Sequence, residues 1–348
     1  MIKTSVVILN WNGAELLRKF LPVVLKHTLS ANCEVVVADN HSSDNSVEVL
    51  KNEFPSVKLI LLDKNYGFAE GYNRALKQIV AEYVVLLNSD VETTDNWLKP
   101  IIDHLENNPH TAAVQPKILS YTDKSKFEYA GAAGGFIDRY GYPFCRGRIL
   151  NVLEEDRGQY DSTEQIFWAT GACLCIRQAD YIEAGGLDDD FFAHMEEIDL
   201  CWRLQSRGKN IICVPQSKVY HVGGASLNSE SPRKTYLNFR NNLLMIYKNA
   251  SRNRLIKIFI MRIFLDAAAL FHFGIFGKFR HAQSIIEAYS DFIKMRPSFK
   301  IKRRENIEKT THYSVKQQYN GSILFDFYLL RKKTFSSIIS KNFDKTNR

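Results

Sequence analysis

The sequence predicts an α/β fold, with a Rossmann-like, mostly parallel central sheet flanked by helices and a C-terminal helical extension. Short apolar runs rich in β-branched residues recur within residues 5–87. Segments with helical spacing of apolar residues alternate with these runs, and such alternation is typical of parallel sheets with helical crossovers. The chain has 348 residues, which is enough for one large domain of roughly 250 residues and an appendage.

Four strands are predicted in the first part of the chain. They cover residues 5–9, 34–38, 57–62 and 83–87, with helices at 16–25, 47–54 and 68–80 between them. The run at 83–87 is continuously apolar, which favours a central strand covered on both faces. Ligands of open α/β sheets bind beyond the carboxyl ends of the strands. Asn88, Asp90 and Glu92 are therefore expected to receive a cation and a phosphorylated ligand; the alternative is a helix cap near Asp95.

Asp39 ends the second strand, where an acidic residue can accept hydrogen bonds from ribose hydroxyls or a base edge. The alternative is a local turn or cap with Ser42. The first strand ends on Asn10-Trp11-Asn12-Gly13 and lacks the G-x-G-x-x-G glycines. An NAD enzyme is therefore disfavoured.

Two further segments combine glycines with polar or aromatic side chains. At 65–74, Gly67 and Gly71 permit close backbone approach, and the amides of Asn65 and Asn73 can hold hydroxyls or phosphate. The alternative is a helix packed tightly through Gly71. The irregular stretch 118–165 is interpreted as a wall facing a second substrate, and the alternative is a hairpin packed on the sheet.

Adjacent carboxylates open a predicted helix near residue 196. A buried strand is predicted at 166–176, and Glu196, Glu197 and Asp199 follow at the helix start. Acids in a first helical turn are favoured by the helix dipole alone. Two adjacent carboxylates also suit general-base work, because crowding raises one pKa. Strands at 211–215 and 217–220 then lead to His221, which can face a cleft or be a hydrogen-bonded structural group.

Composition limits the class of protein. Hydrophobic residues make up 45% and charged residues 24%, with a net charge of +8, which is ordinary for a globular protein. The six cysteines form no CxxC pair, so neither a zinc ribbon nor a disulfide framework is indicated. The N-terminus reads directly into a strand without a signal segment, so we expect a cytoplasmic location.

The excess of basic residues lies after residue 250. Residues 255–279 are apolar but interrupted by Lys257, Arg262, Asp266 and His272, which argues against a simple transmembrane segment. An amphipathic helix on an anionic membrane face and a helix packed on the catalytic domain remain as alternatives. Residues from 297 to 322 are expected to be loosely ordered. A peripheral position on the inner face of the plasma membrane would suit such a chain.

Taken together, seven segments of residues 1–250 resemble the family 2 inverting GT-A glycosyltransferases, in the rhamnosyltransferase-like branch. They are Val6–Asn12, Val36–Asp44, Asn65–Asn73, Leu86–Val91, Thr170–Cys173, Phe191-Phe192 with Glu196–Arg203, and His221–Gly224. Each segment is modest alone, but their order is specific. The resemblance implies a catalytic domain at 1–250, and the basic and apolar residues that follow are interpreted as a helical extension at 251–348 that can associate with a membrane. It also implies transfer of a hexose, such as rhamnose, to a growing lipid-linked surface polysaccharide of the cell envelope.

The resemblance further implies roles for individual residues. The nucleotide-sugar donor, a UDP- or dTDP-sugar, would be bound by Asn10, Asn12, Asp39, Asn65, Gly71, Asn73, Asn88, Ser89 and Asp90. Asp90 and His221 would bind Mg²⁺ or Mn²⁺. Glu197 would be the base, with Glu196 as the alternative. The glycan acceptor would be bound by Trp168, Gly171, Ala172, Trp202 and Arg203.

Two positions depart from the family pattern. Asn88 replaces the first acid of the D-x-D element, and Glu197 replaces an aspartate at the base position. These departures, with the basic tail, motivate an alternative: a nucleotide-sugar or nucleic-acid binding protein without turnover. A nucleotidyltransferase is disfavoured because no glycine-rich phosphate loop is present near residue 10. For the enzyme, nucleic acid is not an expected partner.

Overall fold

A computed structural model describes residues 2–30, 32–223 and 231–339. Gly224, the last residue of the His221–Gly224 segment, lies outside these ranges. The first elements are β1 (Thr4–Asn10), α1 (Ala14–Thr28), β2 (Cys33–Asp39), α2 (Ser46–Glu53), β3 (Lys58–Leu61), α3 (Gly67–Leu76), β4 (Tyr83–Leu87), β5 (Val91–Thr93), α4 (Leu98–Asn107) and β6 (Thr111–Ser120). The short strands that follow are β7 (Gly135–Asp138), β8 (Pro143–Cys145), β9 (Arg148–Ile149), β10 (Val152–Leu153) and β11 (Glu164–Gln165). The remaining elements are β12 (Cys173–Arg177), α5 (Gln178–Ala184), α6 (Glu196–Ser206), β13 (Asn210–His221), α7 (Pro232–Asn249), α8 (Arg252–Ile275), α9 (Phe279–Glu308), β14 (Gln318–Tyr319), α10 (Ile323–Tyr328) and α11 (Phe335–Ile339).

Nine strands of the described ranges form the central sheet, in the order β11-β13-β6-β12-β4-β1-β2-β3, with β5 paired to β13. The β1, β2, β3 and β4 pairings are parallel, and β6 and β13 are parallel to each other. β12 is inserted antiparallel between β4 and β6. The sheet is therefore mixed and mostly parallel, which confirms the predicted fold class.

The sequences of the strands explain why the central sheet lies in the middle of the fold, with both faces covered. In β1, Val7 packs into one hydrophobic layer, whereas its neighbours Val6 and Ile8 pack into the layer on the opposite face. All five residues of β4 are buried. Because both faces are covered, the strands have uninterrupted apolar runs rather than an alternation of apolar and polar residues.

Three predicted element boundaries were wrong. The strand expected at 166–176 is reduced to β12, which begins after the turn that was also predicted at Thr170-Gly171-Ala172, where the Thr170 carbonyl accepts a hydrogen bond from the Cys173 backbone amide at 3.2 Å. The two strands expected at 211–220 form one strand, β13, with an irregular register between Val214 and Lys218. The helix expected near Asp95 begins at Leu98.

The irregular stretch 118–165 contains hairpins. Strands β10, β9, β8, β7 and β14 of the described ranges form a second sheet in that order. Strand β14 comes from the C-terminal part and pairs parallel with β7. The hairpin alternative is therefore confirmed, while a role of this stretch in facing a substrate stays a prediction.

The first part of the region expected to be loosely ordered is instead helical, because α9 continues through Pro297 to Glu308. Residues 309–322 are turns and irregular backbone apart from β14. Phe299 is fully buried and stacks on Phe191 with ring centroids 6.0 Å apart. This packing stabilises a helix whose local sequence is polar and basic, so the expectation from composition was wrong for residues 297–308.

Candidate active site

The carboxyl ends of β1 and β2 bring Asn10 and Asp39 together, since these two residues are register partners. The Asn10 amide donates to Asp39 at 3.0 Å. Asp39 also accepts hydrogen bonds from the backbone amide of Ser42 at 2.9 Å and from its hydroxyl at 2.6 Å. The local turn predicted as the alternative for Asp39 is therefore present. Asn12 orders the same loop, because its side-chain oxygen accepts from the Ser43 amide at 2.7 Å.

The next loop joins this edge through Asn40, which the sequence reasoning did not select as a site residue. The Asn40 amide donates to Asn65 at 3.1 Å and to the Gly67 carbonyl at 2.9 Å. A side chain at Gly71 would come within 2.9 Å of Leu9, so α3 is packed closely against β1 at this point. The tight-packing alternative for Gly71 is confirmed.

Asn73 lies elsewhere on α3 and is engaged with the turn that precedes α6. Its amide donates to the Leu187 carbonyl at 2.8 Å, and its side-chain oxygen accepts from the Leu187 amide at 3.1 Å. It also contacts Tyr181 and Asp189. These hydrogen bonds already use both ends of the Asn73 side chain, which argues against a contact with the sugar donor. The predicted donor contact of Asn73 stays a prediction.

Asp90 and His221 converge as the sequence predicted. The Asp90 carboxylate lies 3.1 Å from His221 Nε2, and both side chains are buried. Asn88 Nδ2 lies 3.3 Å from the same ring nitrogen. The second Asp90 oxygen accepts from the Gly223 amide at 3.2 Å. These contacts follow from the antiparallel pairing of β5 with β13, which places His221 opposite Val91.

Glu128 completes this group and was missed in the sequence. Its carboxylate lies 3.4 Å from His221 Nδ1. Burial opposes protonation of His221, but the Asp90 and Glu128 carboxylates outweigh it and raise the imidazole pKa to about 10. No local motif marks Glu128, because it lies in the irregular stretch 118–165 and approaches His221 only through the tertiary fold.

Asp90 and His221 contact each other directly, and the described residues contain no group of three or more His, Cys, Asp or Glu side chains that could hold a metal ion. The predicted binding of Mg²⁺ or Mn²⁺ by Asp90 and His221 therefore stays a prediction. Mg²⁺ is commonly held by one or two carboxylates together with substrate phosphates, so a small protein ligand set is sufficient. Ser89 is partly exposed beside this pair.

The second chemical group is the carboxylate pair at the start of α6. Glu196 is buried, whereas Glu197 is partly accessible to solvent. One carboxylate oxygen of each has no hydrogen-bond partner among the described residues. Burial raises the pKa of Glu197 to about 7. Burial and the neighbouring Glu197 raise the pKa of Glu196 well above its ordinary value. Glu197 therefore combines a buried carboxylate oxygen that lacks a partner with a pKa close to neutral pH.

The backbone before these acids is strained. Phe192, His194 and Met195 have φ angles of 63°, 71° and 73°, in the left-handed region that non-glycine residues rarely adopt. Asn241 of α7 holds this turn, because its amide lies 2.9, 2.8 and 2.8 Å from the carbonyls of Phe191, Ala193 and His194. Such strain is concentrated at functional sites.

This turn contacts the loop at the start of α3, and the charge of Lys234 acts on one of its residues, His194. The Phe68 amide donates to the Phe192 carbonyl at 2.7 Å. The positive charge of Lys234 contributes to a lowered His194 pKa of about 4, after the larger effect of burial. Glu128 raises the Lys234 pKa, although burial lowers it overall. Lys234 thus lies within electrostatic reach of both groups.

The predicted acceptor residues are mostly internal. Trp168 is 4% exposed and its indole donates to the Phe136 carbonyl at 3.0 Å. Trp202 is 6% exposed and packs edge-on against Phe167. Arg203 pairs with Asp199 at 2.8 Å. These three side chains lie in the core rather than on an open face. Their acceptor contacts stay a prediction that the geometry does not support.

Gly171 and Ala172 lie nearer to the predicted donor edge than the three internal side chains. The Ala172 carbonyl accepts a hydrogen bond from the backbone amide of Asn88 at 3.0 Å. A side chain at Gly171 would lie 2.9 Å from the Phe68 ring. Both residues therefore adjoin the loops after β4 and before α3, and their predicted acceptor role stays open to test.

The mixed, mostly parallel sheet, with the Asp90–His221 pair at its strand ends and the carboxylate pair at the start of α6, is typical of a GT-A type of glycosyltransferase fold. The chain belongs to glycosyl transferase family 2, since the model of that family, "Glycosyl transferase family 2", matches residues 5–183. This confirms the resemblance and the enzyme class predicted from the sequence.

Two curated relatives have names that mention sugar transfer or glycan assembly. The chain is 26% identical over 235 residues to the O-antigen biosynthesis protein RfbC of Myxococcus xanthus, covering 66% of this chain and 18% of that protein. It is 26% identical over 203 residues to N-acetylglucosaminyl-diphospho-decaprenol L-rhamnosyltransferase of Mycobacterium tuberculosis, covering 54% of this chain and 66% of that protein. The chain thus spans less than two thirds of each relative.

A solved structure agrees on the fold. The mannosyltransferase PcManGT of Pyrobaculum calidifontis, in complex with GDP-Man and Mn²⁺, superposes with a TM-score of 0.51 at 15% sequence identity. The match covers 88% of this chain and 85% of that one. At this identity the likeness concerns the fold alone.

Proposed function

We propose that this chain transfers a hexose, rhamnose or another, from a UDP- or dTDP-sugar to a hydroxyl of a growing lipid-linked surface polysaccharide, with inversion at the anomeric carbon. The main supporting observation is the Glu197 carboxylate, which has a buried oxygen without a partner among the described residues and a pKa of about 7. The names of the two relatives support polysaccharide assembly and a lipid-linked acceptor.

Glu197 is the proposed base. Its carboxylate takes the proton from the acceptor hydroxyl while that oxygen forms a bond to the anomeric carbon. The bond from this carbon to the phosphate oxygen breaks on the opposite face, and its electron pair leaves with the nucleoside diphosphate. A pKa of about 7 suits this proton transfer, since the group is then largely ionised at slightly basic pH and still a competent base.

The donor diphosphate is proposed to lie at the Asp90–His221 pair. These two residues would hold Mg²⁺ or Mn²⁺, which supplies Lewis-acid stabilisation of charge on the leaving diphosphate. The Glu128 carboxylate lies 3.4 Å from the other ring nitrogen of His221, Nδ1, where a second carboxylate could orient a metal-binding histidine. Asn10, Asn12, Asp39 and Asn65 order the loops proposed to receive the nucleoside.

The chain is proposed to work in the cytoplasm, peripheral to the inner face of the plasma membrane. Under this proposal residues 1–250 form the catalytic domain and 251–348 the basic extension. The basic exposed residues of the extension support this location, because the inner leaflet carries anionic lipids.

The test is a transfer assay with a panel of nucleoside diphosphate sugars, Mn²⁺ and a lipid-pyrophosphate-linked sugar as the acceptor. Glu197→Gln should lower kcat by about 10²–10⁴-fold, the usual contribution of a general base. Glu183→Gln, a matched change at an exposed position of α5, should leave kcat unchanged. Equal turnover by the Glu197→Gln protein would refute the proposed base.

The runner-up function is a binding protein without turnover. Asn88 at the first position of the D-x-D element favours it, since one negative charge near the proposed cation is absent. Donor-induced thermal stabilisation with neither hydrolysis nor transfer for any sugar of the panel would support this function. Strong binding of RNA or DNA with a steep salt dependence would point to a nucleic-acid partner instead.

A further inference from the structure

Helix α8 has an arrangement opposite to that of an ordinary surface helix. Its buried residues are Ile258, Arg262 and Asp266. Its outward side carries large apolar side chains, among them Ile263, 56% exposed, and Phe264, 67% exposed. Surface helices of globular proteins normally turn the apolar stripe inward and the charges outward. Helix α8 does the reverse along its middle.

The inward charges are fixed by the body of the protein. Arg262 and Asp266 form an ion pair at 3.0 Å, and both are nearly inaccessible to solvent. Asp266 also accepts hydrogen bonds from the hydroxyls of Tyr142 at 2.6 Å and Tyr289 at 2.7 Å. Arg262 donates to Asn242 of α7. Both charges belong to α8, so moving the helix away would keep the pair together but would break its hydrogen bonds to Tyr142, Tyr289 and Asn242.

The same helix meets the length and hydropathy of a membrane span. Arg252–Ile275 has 24 residues, a mean hydropathy of 1.8 in its most apolar window, and 17% of that window buried. The anchored ion pair favours a helix that lies along the surface of the domain over one that leaves it to cross a bilayer. One face of α8 packs on the domain, which is one of the two predicted alternatives, and the other face is exposed within residues 2–30, 32–223 and 231–339.

A cavity of about 870 Å³ opens beside this free face, between α8 and α10. Its wall is mostly apolar and includes Phe239, Leu265, Phe273, Leu324 and Tyr328. Exposed residues at its rim, such as Phe325 and Leu329 with 51% and 68% exposure, continue the apolar surface of α8. The volume falls within the range of roughly 300–1,000 Å³ that small-molecule sites occupy.

The charges around this surface are basic. The exposed charged residues of 251–282 are Arg252, Lys257, Lys278 and Arg280, and the acid of this segment, Asp266, points inward. Arg331 and Lys333 are exposed beyond α10. An apolar face flanked by basic residues suits the surface of an anionic bilayer, because the apolar side chains can enter the hydrocarbon while the basic side chains contact the negative headgroups.

We propose that the outer face of α8 and the end of α10 dock on an anionic phospholipid bilayer, and that the cavity between them takes one fatty acyl chain of an anionic phospholipid. The apolar face and the inserted chain supply hydrocarbon contact, and the flanking lysines and arginines supply headgroup contact. Stable peripheral binding generally needs two such contributions. This lipid site does not depend on which sugar or acceptor the chain uses.

The docking face is tested by flotation with vesicles of phosphatidylcholine containing one third phosphatidylglycerol. The full chain should float with these vesicles and much less with pure phosphatidylcholine. The double variant Ile263→Glu with Phe264→Glu should have a vesicle partition coefficient at least about tenfold lower than that of the parent chain, because both substitutions would place charge in hydrocarbon. Ile182→Glu, at a position of α5 that is 67% exposed, is the matched control and should float like the parent chain.

Equal flotation of the α8 double variant would overturn the docking face. A dimer in size-exclusion chromatography that dissociates in this variant, without vesicle binding by the parent chain, would assign the face to a second copy and also overturn it. Thermal unfolding should be close to that of the parent, because both residues are exposed. Donor hydrolysis without vesicles should also be unchanged, so failure of the lipid site and failure of the transferase proposal are distinguishable.

The cavity is tested with phosphatidylglycerol that carries a diazirine near the end of one acyl chain. After irradiation in vesicles, mass spectrometry should find the label on cavity residues such as Phe273 and Leu324. Ala269→Trp, which fills the cavity from α8, should remove this label while flotation is retained. Labels confined to the outer face of α8 would overturn acyl-chain insertion. Displacement of the cavity label by a soluble isoprenyl phosphate would replace the acyl chain with an isoprenoid and overturn the proposal in its stated form.

Discussion

Two clusters of acidic side chains lie close together in the sequence and have opposite electrostatic environments. Asp199 accepts from Lys248 at 2.9 Å, from Arg203 at 2.8 Å and from Asn249 at 2.7 Å. Although burial opposes ionisation, these cations hold the Asp199 pKa below its ordinary value. Glu197, two residues earlier on the same helix, has no such cation, and burial raises its pKa to about 7.

Helix α6 therefore carries acidic residues of two kinds: Asp199 holds the fold together, and Glu196 and Glu197 are available for chemistry. Asp199 and Asp188 share Lys248, which lies 2.6 Å from Asp188, so the first cluster joins α6 to α7. Glu196 and Glu197 each keep a carboxylate oxygen without a partner among residues 2–30, 32–223 and 231–339. A paired carboxylate stabilises the fold, whereas an unpaired one retains the ability to take a proton.

The largest effect is expected when the paired cluster is broken. Lys248→Met leaves Asp188 and Asp199 buried with less positive charge, and should lower the free energy of unfolding by about 3–5 kcal/mol. Lys294→Met is the control, because its ion pair with Asp291 is exposed and such pairs contribute about 0–1 kcal/mol. Urea denaturation measures both. Equal losses in the two variants would remove the distinction between the clusters.

A smaller effect is expected when the support of the unpaired cluster is removed. Asn241→Ala deletes the amide that holds three carbonyls of the turn before α6, so Glu197 should lose its fixed position. We expect kcat to fall about 10–100-fold, since small misplacements of a reacting group are costly. The acidic limb of the pH profile should also shift, because the burial of Glu197 changes.

Asn107→Ala is the control for that variant, because Asn107 is exposed and its amide bonds only to its own helix. If Asn241→Ala lowers stability but leaves both kcat and the pH profile unchanged, Asn241 has no positioning role and the strained turn is not linked to the chemistry.

The pH dependence of turnover gives a third measurement. Glu197 acts as a base only when it is ionised, and its pKa is about 7. Turnover should therefore fall about tenfold per pH unit below 7 and level off above it. Kinetics from pH 5 to pH 8 at saturating donor measure this limb. A flat profile down to pH 5 would place the base elsewhere.

The smallest expected effect is on stability and has a defined sign. The Glu197 pKa rises from its ordinary value of 4.5, taken for the unfolded chain, to about 7 in the folded protein. The free energy of unfolding of the wild type therefore decreases as pH rises through this interval. Glu197→Gln avoids that loss. Because the side chain is partly accessible, water screens part of the effect. The variant should be about 1 kcal/mol more stable at pH 8 and equal at pH 4 in denaturant unfolding. Equal stability at pH 8 would show that Glu197 is not destabilised by burial.

The parts of the site carried by strand ends could be predicted from the sequence. Asp90 follows a fully apolar strand and His221 ends a later one, and both were expected at one edge of the sheet. Glu128, Asn40 and Asn241 were missed, because each acts through a contact with a residue far away in the chain. Trp168 and Trp202 were expected to face a sugar, but both side chains are buried. The sequence could not show this, because an aromatic residue type does not indicate whether its ring is buried or exposed.

The α/β fold, the family and the strand ends from which the site is built could be predicted from residues 1–348, because apolar periodicity and short motifs are local properties of the chain. Which carboxylates have cationic partners became known from the three-dimensional fold. Lys248, about fifty residues after Asp199 in the chain, neutralises that acid, while no basic residue of the described ranges pairs with Glu197. Charge compensation acts over a few ångströms in space, and the order of residues does not specify those distances.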